Sequence, residues 1–320
     1  MNISQPLKDK EIDISVIIPV YGCDKSLLEL CERLTVSLEG IVKKYEIILI
    51  DDCGIGSTWE IIQNITKKNN SVKGIRLSRN FGQHIAITAG LKESVGSWIV
   101  VMDCDLQDKP EEISRLYEKA QSGVDIVFAQ RVDRQDSFLK KSASKLFYKI
   151  LSYLTETKLD FSVANFGIYH RKVIDAILSM KEAHKFFPVM VRWVGFSSAS
   201  IKVSHADRAY GDTTYTLRSL IALSFGVMLS FSDKPLRLIV KFGFIVSSVA
   251  AIYVLSIVIN VLLNGATVVG WSSMMASLWL IFGILMSIVG VVGLYVGRTF
   301  DETKSRPVYI IDKQTNYSNK

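Results

Sequence analysis

Two acidic clusters in this sequence have the spacing to do chemistry. Asp103-Cys104-Asp105 directly follows the apolar run WIVVM, and Asp51-Asp52 closes the apolar run YEIILI. Two carboxylates spaced i, i+2 at the end of a strand can both face a cleft if the chain turns there. Their oxygens suit hard cations such as Mg²⁺ or Mn²⁺, which bridge to phosphates. A cation so held would neutralise the charge that develops on a departing diphosphate. Taken alone, D-x-D is a weak signal, because solvated surface loops carry it by chance. Its place after a buried run, its continuation into Leu106-Gln107-Asp108 and the second acidic pair at another strand end strengthen it.

The elements that must position these groups are legible as alternating runs. Residues 14–20 (ISVIIPV), 45–50 (YEIILI), 72–77, 98–102 (WIVVM) and 125–129 (DIVFA) read as short buried strands. Residues 27–42, 58–68 and 83–94 carry helical spacing. Asp108 and Glu111 have capping-box spacing with Pro110 in the first turn, which predicts another helix start. Strands alternating with helices imply an α/β domain: a mostly parallel sheet with helices on both faces. Ligands of such sheets bind at the carboxyl ends of the strands. Both acidic clusters fall at that edge, so they are expected to share one site.

Four segments together carry a resemblance: VIIPVYG (16–22), the Asp51-Asp52 pair, RNFGQHIAITAGL (79–91) and DCDLQDKPEE (103–112). The set resembles the GT-A-type family-2 glycosyltransferases, whose catalytic domain is Rossmann-like. The branch it is most similar to is the bacterial polyprenyl-phosphate glycosyltransferases, relatives of dolichol-phosphate mannose synthase. SFSDKPLRL (230–238) and GLYVGRTFDETKSRPVYII (293–311) resemble the same branch, so the likeness covers nearly the whole chain. It implies that Pro19 and Tyr21, with Asp51 or Asp52, hold the nucleoside. Asp103 would contact the nucleotide, and Asp105 with Gln107 would hold the metal, Mg²⁺ or Mn²⁺, and the diphosphate. Arg131 matches an arginine opening the family's flexible acceptor loop. Arg208, with Tyr210 and Gly211, resembles an R-x-x-G segment near the acceptor. Asp103, Asp105 and Arg131 are thus the residues expected to carry an inverting transfer. The chain departs from the family at Cys53-Gly54-Ile55-Gly56, where a Ser/Pro/Asp turn is usual. It also departs at Ala164-Asn165-Phe166-Gly167-Ile168, where G-D-F-R-L is common, and at Thr213-Thr214, where Ser is usual.

Beyond residue 218 the composition changes. From Phe242 to Gly297 there is no Asp, Glu, Lys or Arg, a length rarely seen in a soluble domain. Residues 242–263 and 272–297 are each long enough to span a bilayer. Lys234, Arg237 and Lys241 precede the first span, and Arg298, Lys304 and Arg306 follow the second. The positive-inside rule then makes both ends cytoplasmic and the turn at 264–270 external. The competing reading is a buried helical hairpin in a soluble protein. The expected layout is a cytoplasmic catalytic domain (1–218), an interfacial or juxtamembrane helix (219–241), two transmembrane helices (242–297) and a cytoplasmic tail (298–320), in the inner (plasma) membrane. Residues 1–13 have no apolar core of a signal peptide.

The net charge is +7. No basic–aromatic patch, zinc finger or helix-turn-helix accompanies it, so no nucleic-acid partner is expected; anionic membrane lipids account for it better. Cys23, Cys31, Cys53 and Cys104 form no C-x-x-C pair and read as free thiols of a reducing cytosol. His84 reads as structural or capping rather than catalytic. Arg79 is either a phosphate contact or a surface charge. Lys140, Lys141, Lys145 and Lys149 are either a solvated face or a funnel for lipid phosphate. His170, His184 and His205 lack metal-ligand spacing.

The expected reaction moves a hexose from a nucleotide diphosphate sugar, UDP by default, to a polyprenyl (undecaprenyl) phosphate. A phosphate monoester is largely ionised near neutral pH, its second pKa being about 6. Such an acceptor needs no strong general base, which makes Asn165 tolerable where the family has an acid. Transfer to a saccharide or glycolipid hydroxyl is the alternative and would need one. A non-catalytic membrane scaffold is disfavoured by the intact Asp103, Asp105 and Gln107. A homo-oligomer is compatible with so small a membrane part.

Overall fold

The computed structural model describes residues 12–54, 56–131, 163–182, 185–204, 234–264 and 270–317. They divide into two compact units, one holding the sheet and the other two long helices.

In the first unit the apolar runs form strands β1 (Ile14–Val20), β2 (Tyr45–Asp51), β3 (Val72–Leu77), β4 (Trp98–Val101) and β5 (Ile126–Arg131). Every residue of β1 is buried, as expected of a central strand covered on both faces. Helices α1 (Leu27–Glu39), α2 (Thr58–Lys68), α3 (Gln83–Glu93) and α4 (Ile113–Gln121) alternate with these strands. α1 buries Leu27, Leu30, Cys31, Leu34 and Leu38, the i, i+3, i+4, i+7 stripe of a helix lying on a sheet. α3 lies close against the sheet at Gly90, where a Cβ would lie 2.6 Å from Ile17 Cγ2 and 2.7 Å from Ile50 Cδ1.

The sheet has eight strands in the order β7-β5-β6-β4-β1-β2-β3-β8. β1, β2, β3 and β4 run parallel. After β3 the chain crosses back, so that β4 lies beside β1 on the side away from β2. The carboxyl ends of β1 and β4 therefore flank the point where strand order reverses, the place where such sheets open a crevice.

Three strands lie outside the sequence expectation. β6 (Val163–His170) inserts antiparallel between β4 and β5. After α5 (Arg171–Ser179) and α6 (Phe187–Trp193), β7 (Ser198–Val203) adds parallel to β5. β8 (Ile311–Thr315) pairs antiparallel with β3. The segment expected to be a tail thus supplies the edge of the catalytic sheet. Asn316 secures it by donating from Nδ2 to Thr66 O at 2.6 Å and Val72 O at 2.9 Å.

The second unit consists of α7 (Lys234–Asn264) and α8 (Trp271–Thr303). Residues 234–241, expected as a separate juxtamembrane element, are continuous with the first apolar helix, and the second helix runs on to Thr303. Among the described residues, one stretch is long and apolar enough to cross a membrane, Leu280–Thr303, with mean hydropathy 2.4. Phe244, Ile245, Leu262 and Met286 of this unit are exposed. The rest of the expected interfacial or juxtamembrane helix, residues 219–233, lies outside the described residues.

Candidate active site

A cleft of about 250 Å³ opens at the carboxyl edge between β1 and β4, lined by Pro19, Val20, Tyr21, Cys23, Asp52, Asn80, Gly82, Gln83, Asp103, Cys104 and Asp105. The two acidic clusters do meet there, but not residue for residue. Asp51 ends β2 with its side chain only 1% exposed. It accepts from Gly54 N at 2.9 Å and lies 3.4 Å from Arg76 Nε. It is absent from the cleft wall, so of the pair expected to hold the nucleoside only Asp52 faces the crevice. The reason is the alternation of a strand: neighbours at its end point to opposite sides.

Asp52 is itself engaged. Its Oδ1 accepts from Phe81 N at 2.7 Å and its Oδ2 from Gly82 N at 2.8 Å. Gly82 has φ +95°, a conformation that favours glycine, and it caps the start of α3. Burial pushes the carboxyls of both Asp51 and Asp52 above the usual carboxylate range, with their backbone hydrogen bonds acting in the opposite direction. One residue on, Gln83 Nε2 donates to Asp103 Oδ1 at 2.6 Å. Asp52 thus holds the 80–83 loop, and the loop's first helical residue holds the first carboxylate of D-C-D. Sequence reasoning recognised RNFGQH as a family segment but assigned Gln83 no role; its only signal was its place within that segment.

Asp105 Oδ1 accepts from Gln107 N at 3.2 Å, and the intervening Leu106 has φ +63°. This local turn aims Asp105 into the cleft. The Gln107 side chain does not line the cleft. The capping box expected at Asp108 and Glu111 does not form: Pro110–Glu112 is a short 3-10 turn without a side-chain cap. Glu111 instead forms a two-pronged pair with Arg33, both N···O distances being 2.9 Å. Glu112 Oε1 accepts from the Ser204 hydroxyl at 2.6 Å, tying the exit of β7 to the turn after D-C-D.

The free-thiol expectation holds for Cys31 and Cys53 but not for the other two. Cys23 and Cys104, 81 residues apart in sequence, are joined as a disulfide. They follow β1 and β4, which are sheet neighbours, and only the crossover brings them together.

His84 lies in the first turn of α3, its ring edge-on to Phe186 at 4.5 Å between centroids. Its Nδ1 is buried with no hydrogen-bond partner among the described residues. Burial pushes its pKa down to about 4, so it is neutral near pH 7, in keeping with a structural role. Arg79 is exposed, stacked on the Phe81 ring at 3.9 Å. Arg131 is the last residue of β5; Arg208, Tyr210 and Gly211 lie outside the described residues, as do Lys140, Lys141, Lys145, Lys149, His184 and His205.

Among the described residues, no three or more His, Cys, Asp or Glu side chains cluster closely enough to hold a metal by themselves. Two carboxylates in an open cleft fit a hard cation that takes its other ligands from phosphates and water, as Mg²⁺ commonly does.

The architecture has solved counterparts. Glucosyl-3-phosphoglycerate synthase from Mycobacterium tuberculosis, in complex with Mn²⁺, UDP-glucose and phosphoglyceric acid, superposes with a TM-score of 0.51 over 69% of this chain and 78% of its own, at 15% identity. That likeness defines the fold class: a GT-A-like mixed α/β domain with a mostly parallel sheet. The sequence is more specific. Residues 15–178 match the family described as Glycosyl transferase family 2. An uncharacterized glycosyltransferase of Bacillus subtilis, YkcC, is 35% identical over 97% of both chains. The undecaprenyl-phosphate 4-deoxy-4-formamido-L-arabinose transferase of Aeromonas hydrophila is 34% identical over 93% of this chain and 92% of its own. The chain belongs to glycosyl transferase family 2 and is a glycosyltransferase.

Proposed function

We propose that this enzyme transfers a sugar from a nucleotide diphosphate sugar to a polyprenyl phosphate at a membrane surface. The observation that carries the reading is the single cleft in which the Asp52-anchored loop and the two carboxylates of D-C-D face the same space. Pro19, Tyr21 and Asp52 line the part suited to the nucleoside, with UDP as the proposed nucleotide. Asp103 and Asp105 would hold a divalent cation, which when bound offsets the charge developing on the departing diphosphate. Mn²⁺ and a UDP-sugar in a neighbour of the same fold support this assignment.

The acceptor reading draws on relatives named for transfer to undecaprenyl phosphate. Their sugar is an arabinose derivative, so the hexose expectation gives way to a nucleotide-activated sugar of unspecified ring. β6 carries Asn165 and Gly167 rather than an acid and an arginine. Loss of a base is harmless for an acceptor that arrives ionised. Arg131, and Arg208 with it, are proposed to grip the acceptor phosphate, for which a guanidinium offers bidentate hydrogen bonding.

The membrane reading is supported by the apolar stretch in α8 and by parity. Strands before α7 and β8 after α8 belong to one sheet. A chain that leaves that unit and returns to it must cross a bilayer an even number of times, which favours α7 and α8 as a spanning pair with the flanking segments on one side; the basic residues beside both helices favour the cytoplasmic side.

The test is a screen of labelled nucleotide sugars in membranes containing the enzyme, scored for lipid-linked product, with Asp105→Ala and EDTA as controls. Label in a phosphate-linked polyprenyl product, lost in Asp105→Ala and on chelation, is the expected result. Label on saccharide hydroxyls, or normal turnover in EDTA, would overturn the acceptor and metal assignments respectively.

A further inference from the structure

Two cysteines sit in the wall of the cleft, and the transfer reaction uses neither. Cys23 follows Tyr21 in the loop after β1, half-buried; Cys104 stands between Asp103 and Asp105, 7% exposed. Their Cα atoms are 6.1 Å apart, within the span a disulfide bridges. Their backbones are held together by a contact that involves no sulfur. The Ser26 hydroxyl, buried beneath them, points at both carbonyls, 3.1 Å from Cys23 O and 2.7 Å from Cys104 O. Opening the sulfur bond therefore leaves the two thiols facing each other, ready to bond again. Cys31, by contrast, is packed in the core on α1, and Cys53 has no partner sulfur.

We propose that Cys23 and Cys104 form a reversible thiol–disulfide site in the donor cleft, and that oxidation of the pair weakens binding of nucleotide and cation. The effect on the cleft rests on the donor reading given above; the cross-link does not. The co-reactant is a low-molecular-weight disulfide such as oxidised glutathione. The Cys23 thiol, the more accessible of the two, attacks it to form a mixed disulfide and releases one glutathione thiol. The Cys104 thiol then attacks the Cys23 sulfur, forming the internal bond and releasing the second glutathione. Two electrons pass from the cysteine pair to glutathione, and the two thiol protons leave on the two released glutathiones.

The consequence follows from where Cys104 stands. The peptide units on either side of it carry Asp103 and Asp105, so a bond from its sulfur to the β1 loop restrains both carboxylates at once. In the cross-linked chain each has an oxygen turned to a protein donor: Asp103 Oδ1 to Gln83 Nε2, and Asp105 Oδ1 to Gln107 N. Gripping a cation and a diphosphate together requires both carboxylates to turn toward a shared position. Reduction removes the covalent tether and leaves the Ser26 contact, which keeps the thiols within reach while the carboxylates gain room to turn. The pair thus couples the thiol redox state to occupancy of the site.

The full chain in detergent micelles would be equilibrated across graded ratios of reduced to oxidised glutathione, then denatured, alkylated and mapped by mass spectrometry. Cys23 and Cys104 should lose alkylation together while Cys31 and Cys53 retain it. Calorimetry with UDP or GDP plus Mn²⁺ should show affinity about fivefold or more weaker in the oxidised form. By linkage, saturating nucleotide with Mn²⁺ should shift the half-oxidation value of squared reduced glutathione over oxidised glutathione by the same factor, toward the reduced pair. Cys23→Ser should bind nucleotide identically at every glutathione ratio. Alkylation of Cys23 and Cys104 at all ratios, or equal nucleotide affinity in the two forms, would overturn the proposal. Co-oxidation of the pair with no nucleotide bound by either form would overturn the donor reading while leaving the cross-link standing.

Discussion

Replacing Asp52 by asparagine tests whether the 80–83 loop and the D-C-D carboxylates act as one unit. The carboxylate accepts two backbone N–H groups, at 2.7 and 2.8 Å, one on each oxygen. Asparagine keeps one acceptor and turns an NH₂ against the other buried N–H, so at least one charge-assisted bond is lost, worth about 1.5–3 kcal/mol. Opposing this, burial holds the Asp52 carboxyl above its ordinary range, so a neutral side chain recovers part of the desolvation penalty. The bond loss should win, because it also leaves a donor facing a donor, and a net destabilisation of about 1–2 kcal/mol is expected. In a unit of this size that lowers Tm by roughly 2–8 °C. The loosened loop should also release Gln83 from Asp103. Calorimetry of UDP with Mn²⁺ on wild type, Asp52→Asn, Gln83→Ala and the double variant closes a thermodynamic cycle, with an expected coupling of about 0.5–3 kcal/mol. Additive effects within error, together with an unchanged Tm for Asp52→Asn, would refute the idea that Asp52 positions Asp103 through the loop.

Gly90→Ala should destabilise the catalytic unit by about 1–3 kcal/mol, because the new methyl would meet Ile17 and Ile50 at under 3 Å; a wild-type Tm would show that α3 can lift off the sheet freely. His84 is held neutral with its pKa pushed from 6.5 down to about 4. Between those values the unfolded chain binds a proton that the folded chain refuses, so stability should fall as pH drops from about 6.5 to 4, by at most about 3 kcal/mol. His84→Gln should flatten that part of the Tm–pH curve, and an identical acid slope would remove His84 as its cause. Arg131→Ala should raise the acceptor KM roughly ten- to a hundredfold, through loss of a charge-assisted phosphate contact, and leave the donor KM near wild type. An unchanged acceptor KM, or equal damage to donor binding, would take Arg131 out of the acceptor site.

Most of the strands visible in the sequence are those whose burial is written as a continuous apolar run; β3 (VKGIRL), with Lys73 and Arg76 in it, is the exception. β1, β2 and β4 lie in the parallel core of the sheet, and a strand covered on both faces must be apolar throughout. β8 (IDKQT) is an edge strand with three exposed residues in the middle, and nothing in its composition marks it. Its place comes from the ladder of β3 and from Asn316, some 240 residues from the backbone carbonyls it caps. β6 escaped for a related reason: an antiparallel insertion between β4 and β5 is a property of topology, and VANFGIYH does not announce its partners.

The active site divides along the same line. By itself the sequence determined that carboxylates stand at the ends of two buried strands, and that the strand–helix alternation places those ends on one edge. Residue type, apolar runs and local turn chemistry suffice for that, because each is a property of a few neighbouring residues. Only the tertiary structure decided that Asp52 rather than Asp51 faces the cleft, that Gln83 reaches Asp103, and that Cys23 and Cys104 meet. Those outcomes depend on the facing of side chains at the end of β2 and on the crossover that sets β4 beside β1. Both are consequences of packing between segments 20 to 81 residues apart, and no local pattern in the chain encodes which partner the far segment will offer.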